Sequence, residues 1–171
     1  WTAASFGWSE SDERTTIEVG RALHHLGVVL LMMALIGPRT WDAAVAGVAA
    51  AAVAVCALAL GSRLFPEVFP GDVVREAFGS NNRLSYPLNY WNAVGAWSAV
   101  AATLALALSV GSRSGLVRGL WLASVPFAAA AGYLTYSRQA AGGAVAGLLL
   151  VWLFSRWRAT LLLHATVAAV V

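Results

Sequence analysis

All 11 basic side chains of this sequence are arginine, and two of them stand apart by what is missing around them. After Glu76 no Asp or Glu occurs before the last residue, so Arg83 and Arg138 have no acidic partner nearby in sequence. A guanidinium stays charged at any physiological pH and presents a planar fork of donors that matches phosphate oxygens in pairs. Two such groups on one surface would make a receptor for an anion. Each alone, at the end of a membrane helix, can equally well reach up to the lipid headgroups along its apolar stem. The elements that carry them decide between these readings.

The other candidates are few. His24 and His25 follow Arg21 by one helical turn, with Glu18 placed to pair with Arg21 three positions on, and we read them as packing or hydrogen-bonding groups. His164 lies six residues after Arg158 on the opposite side from Arg83, so it is rejected as a base for chemistry at the two arginines. Cys56 is the single cysteine, which excludes an internal disulfide and a cysteine metal site, and its Ala/Val surroundings read as a buried small hydrophobe. Glycine-rich phosphate loops, serine-hydrolase elbows and His/Glu metal spacings do not occur.

The elements that must position the arginines are membrane helices. Of the 171 residues, 60% are hydrophobic and only 11% charged, a composition foreign to soluble domains of this length. A spanning helix needs about 20 mostly apolar residues, because each rises about 1.5 Å through roughly 30 Å of hydrocarbon. The intervals between charges predict an all-α, polytopic chain with about six membrane helices, near 18–37, 43–61, 91–111, 117–137, 140–155 and 158–171, in one domain. Pro126, after Ser124 in the fourth, predicts a kink or merely the tolerance of membrane helices for proline. The chain starts at Trp1 and stops inside an apolar run, so we expect a piece of a longer protein.

Helix parity puts the N-terminal segment, the loop 62–90 and the turn near 138–142 on one side. The short connections 38–42, 112–117 and 155–158 fall on the other, and their density of arginine makes that side the expected cytoplasmic one. Trp41, Trp91, Trp121, Trp152 and Trp157 fall near predicted helix ends, as an interfacial belt requires. A net charge of +3 scattered among membrane segments excludes nucleic acid as a partner. The loop 62–90 is long for a connection without structure of its own, and its aromatic residues argue for a folded surface segment rather than disorder. Arg83 sits in that loop and Arg138 in the turn, so both belong to one membrane face.

The string Asn82-Arg83-Leu84-Ser85-Tyr86-Pro87-Leu88-Asn89-Tyr90-Trp91-Asn92-Ala93-Val94-Gly95 resembles the arginine-containing motif of the O-antigen ligase and O-antigen polymerase family. Tyr133-Leu134-Thr135-Tyr136-Ser137-Arg138-Gln139-Ala140 resembles that family's second motif, in which a Ser-Arg pair closes a membrane helix. Gln139 departs from the glycine usual after the pair. The resemblance implies a multi-pass protein of a bacterial inner membrane with the loop 62–90 outside the cytoplasm. It implies a glycosyltransferase that moves a glycan from a polyprenyl-diphosphate carrier to an acceptor lipid, glycan or protein, without a metal or other cofactor. By carry-over, Arg83 and Arg138 would bind the diphosphate and stabilise its charge as the sugar leaves, and losing one such donor costs about 10²- to 10³-fold in rate. Tyr86, Tyr90 and Asn92 would position sugar or carrier, or else anchor the interface and the helix start. The family's base, a His in a later external loop, falls outside these residues, so the chain alone is expected to be inactive. A transporter or flippase segment for an anionic substrate is the alternative, and a purely structural membrane domain the third reading.

Overall fold

Where the charges thin out, the chain forms helices, because backbone groups facing lipid must be satisfied within their own segment. The structure, a computed structural model, describes residues 4–8, 11–69 and 83–170, so Asp72, Arg75, Glu76 and Phe78 of the long loop lie outside it. The described residues contain six α-helices and no strand: α1 Asp12–Leu35, α2 Trp41–Leu64, α3 Trp91–Gly111, α4 Gly115–Leu134, α5 Arg138–Phe154 and α6 Arg158–Val170. They fall into two compact units, residues 1–44 and 45–171, which we take in turn.

In the first unit α1 begins at Asp12 rather than near 18. Ser11 is extended and its hydroxyl oxygen accepts the Arg14 backbone N–H at 3.3 Å, while Asp12 and Glu13 complement the positive end of the helix dipole. A polar, well-capped first turn thus precedes the apolar stretch. Glu18 and Arg21 pair at 2.7 Å, as their spacing predicts. The helix ends at Leu35, and Thr40 closes the turn to α2 by accepting the Gly37 N–H on its hydroxyl at 2.9 Å. No residue of its most apolar stretch is buried, and Leu30, Leu31 and Met33 are exposed.

The second unit is built around α3, which packs against α4, α5 and α6 and shares a buried cluster with α2. Its core is made of small side chains: Ala52 and Cys56 from α2 meet Ala101 of α3 and Ala128 and Ala131 of α4. Without a hydrophobic drive between helices in lipid, close approach through small residues is what holds such a unit together. Glycine permits the closest contacts. A Cβ on Gly95 of α3 would lie 2.7 Å from the Cβ of Ala140 in α5, and one on Gly147 of α5 would lie 2.7 Å from the Thr103 hydroxyl of α3.

Four helices, α1 to α4, are long and apolar enough to cross a membrane; α5 and α6 are apolar but shorter, at 17 and 13 residues. A 17-residue helix reaches about 26 Å, somewhat under the roughly 30 Å hydrocarbon layer. Helix α4 runs unbroken through Pro126.

Candidate anion-binding site

Two short segments meet at the end of the unit where α3 begins and α4 ends. The Leu84 backbone N–H donates to the Leu134 carbonyl at 2.9 Å, one of the C-terminal carbonyls of α4 that has no partner within its own helix. Leu84 and Ser85 are buried there, so the residue after Arg83 is stitched to the residues that lead into Arg138.

The turn from α4 to α5 is tight. Thr135 donates its hydroxyl to the Gly132 carbonyl at 2.6 Å and accepts the Ser137 N–H at 3.2 Å. Tyr136 takes φ 51, a left-handed conformation that disfavours a bulky side chain by about 1–2 kcal/mol. Ser137 then caps α5, its hydroxyl oxygen accepting the Ala140 N–H at 3.2 Å. The other helix start is built alike: Asn89, at φ 53, precedes the extended N-cap Tyr90 of α3. A left-handed residue followed by an extended cap thus sets the N-terminal end of both helices.

Those two ends are joined side chain to side chain. Ser137 donates its hydroxyl proton to Asn92 Oδ1 at 2.8 Å, and Asn92 Nδ2 donates to the Tyr90 phenol oxygen at 2.9 Å. The Tyr90 ring lies 5.6 Å from the Trp91 ring, and the Arg83 guanidinium sits over Trp91 at 5.1 Å from its centroid. Arg83, Trp91, Tyr90, Asn92 and Ser137 are therefore linked contact by contact, and Arg138 follows Ser137 as the first residue of α5. Tyr86 does not join this chain: it is half-buried against Phe69, ring centroids 5.2 Å apart.

The electrostatics of this surface are unbalanced. Arg138 is the first residue of α5, where the dipole already places positive partial charge, and neither α3 nor α5 has an acidic residue in its first turn. Two other arginines in first turns resolve the same conflict with carbonyls. Arg118 donates to Ser112 O at 2.9 Å, and Arg158 to Leu153 O at 2.6 Å, each capping the preceding helix. Among the described residues Arg138 makes no such bond, neither it nor Arg83 has a carboxylate within ion-pair distance, and Arg21–Glu18 is the single pair. Adjacent helix N-termini beside two guanidiniums that have no carboxylate partner among the described residues attract an anion.

An open groove of about 520 Å³ runs between α3, α4 and α5 from Tyr133, Tyr136 and Arg138 down to Ala129, Ala144 and Leu148. Its polar end is the arginine end, and its walls below are apolar. A second groove of about 350 Å³, between α3 and α5, opens beside Asn92 and Gln139. An amphipathic ligand with a charged head and an aliphatic tail fits the first by chemistry.

The histidines lie elsewhere. The His25 Nδ1–H donates to the Arg21 carbonyl at 2.6 Å and the ring lies edge-on to His24. His164 Nδ1 lies 2.9 Å from the Ser109 hydroxyl, near the opposite end of α3. Thr135 and Ser137 stand in the second motif with no role of their own read from sequence, and the Ser-Arg pair expected to close a helix instead opens α5, since α4 ends at Leu134. For Ser137 the signal was present, since a serine directly before a helix start is an N-cap.

Fold and site together define an all-α chain with four helices able to cross a membrane and a cationic surface where two helices begin, with no carboxylate paired to it among the described residues. Comparison with family models, with curated proteins and with solved structures finds no match.

Proposed function

We propose that this chain is part of a membrane glycosyltransferase of the O-antigen ligase kind. It would act on the non-cytoplasmic face of a bacterial inner membrane and transfer a glycan from a polyprenyl-diphosphate carrier to an acceptor. The observation that carries the reading is the joining of the Arg83 segment to the Arg138 turn by the Leu84–Leu134 and Ser137–Asn92 hydrogen bonds. Those are the two strings that resemble the family's motifs. In the reaction an acceptor hydroxyl forms a bond to the anomeric carbon as the bond to the diphosphate oxygen breaks; the electron pair goes to the departing diphosphate, and the hydroxyl proton to the base that the family resemblance places outside these residues. Arg83 and Arg138 supply preorganised positive charge for that oxygen, in a place where the helix ends already favour an anion. The groove below Arg138 offers apolar walls to the carrier's hydrocarbon.

The test is Arg83→Lys or Arg138→Lys in the complete protein. Lysine keeps the charge and loses the planar fork, so glycan transfer falls about 10²-fold or more and carrier-linked glycan accumulates. Retained transfer without accumulation overturns the reading.

A further inference from the structure

The hydrogen bonds that join the two helix starts have a direction. Ser137 accepts the Ala140 N–H and gives its only hydroxyl proton to Asn92 Oδ1; Asn92 in turn gives an amide proton to the Tyr90 phenol oxygen. A phenol has one proton, and here its oxygen is already an acceptor. Among the described residues no acceptor takes that proton. Tyr90 is half exposed, at 50% of its surface, and its ring is packed on Trp91, the same indole that carries the Arg83 guanidinium.

Resting on the diphosphate reading above, we propose that the Tyr90 hydroxyl is the third donor to the bound diphosphate, beside Arg83 and Arg138, and that Asn92 is the positioning residue that turns its proton outward. The amide does so by occupying the phenol oxygen from behind. Asn92 also ties this donor to α5 through Ser137, so the tyrosine and Arg138 are held in one frame. A tyrosine serves here better than a third arginine, because it adds a hydrogen bond without adding charge to a surface that already repels itself.

The polarity of the chain can be tested by reversing it. The purified chain is titrated with farnesyl diphosphate by calorimetry, with farnesol as the control for tail binding alone. Tyr90→Phe removes one oxygen and keeps the ring on Trp91; it weakens farnesyl diphosphate binding at least about tenfold, the usual worth of a hydrogen bond to a charged group, and leaves farnesol unaffected. Asn92→Asp still accepts from Ser137 but takes the Tyr90 proton inward, so it gives the same loss. The double variant is no weaker than either single one, whereas mere repulsion between the new carboxylate and the ligand would add to the Tyr90→Phe effect. Full affinity in Tyr90→Phe or in Asn92→Asp, or additive losses, overturns the proposal. Arg138→Lys separates it from the reading beneath: if that variant loses the diphosphate while Tyr90→Phe keeps it, the tyrosine alone is wrongly assigned. If Arg138→Lys binds normally, the diphosphate site falls, and the proposal with it.

Discussion

Ser137 and Asn92 are 45 residues apart and share a 2.8 Å hydrogen bond that joins the start of α5 to the start of α3. The same serine caps α5. Ser137→Ala thus removes a cap, worth about 1 kcal/mol, and an interhelical bond, worth about 0.6 kcal/mol in a membrane protein, for a total of about 1–2 kcal/mol. The lowered unfolding temperature in detergent checks this. Ser137→Asp is the informative counterpart. It keeps the cap and favours the helix dipole but cannot donate to Asn92 Oδ1 and sets a carboxylate beside Arg138, so stability falls no further than in Ser137→Ala while farnesyl diphosphate affinity drops about tenfold or more.

Gly95 is where α3 comes closest to the turn and to α5. An added Cβ would meet Ala140 Cβ at 2.7 Å and Thr135 Oγ1 at 3.1 Å, neither at the end of a flexible side chain. Gly95→Ala therefore destabilises by about 1–3 kcal/mol, the usual cost of overfilling a packed contact. Gly119, inside α4 with nothing near its added Cβ, is the control: Gly119→Ala leaves the unfolding temperature unchanged or raises it through better helix propensity.

Arg118 and Arg158 carry the same charge as Arg138 but use it on helix-end carbonyls. Arg118→Gln and Arg158→Gln each lower stability by about 0.5–1 kcal/mol and leave farnesyl diphosphate binding unchanged. Loss of binding in either would show that general positive charge, rather than the site at Arg138, attracts the ligand.

The Ser109–His164 contact at 2.9 Å joins α3 to α6. Ser109 already donates to the Leu106 carbonyl at 2.7 Å, so His164 gives its Nδ1 proton to the serine and is held as a structural group. His164→Phe costs about 1 kcal/mol in detergent unfolding and does not alter diphosphate binding.

What could be read from the sequence depended on how local its cause was. Helix α3 was legible because the interval 84–112 holds no charge and Trp91, an interfacial residue type, marks where the helix starts within it. The start of α1 was not, because hydropathy marks where lipid begins, whereas Ser11 and two acidic residues extend the helix beyond that point. Arg83 and Arg138 stood out by the absence of acids around them. Their connection did not: Leu84 bonds Leu134 through backbone, and a backbone bond between distant segments leaves no mark on residue type. Among the proposed substrate contacts, Tyr90 and Asn92 fall in one hydrogen-bonded chain while Tyr86 turns to Phe69, a distinction that spacing along a loop cannot carry.

The Leu84–Leu134 bond also separates placement from path. Next to Arg83 in the chain, Leu84 is tied to the last carbonyl of a helix that comes later in the sequence. The bond uses only the main-chain N–H of residue 84, so a change of side chain there leaves it intact and proline, which has no N–H, removes it. The tether beside the first arginine is thus written in backbone, beyond the reach of most single substitutions at that position.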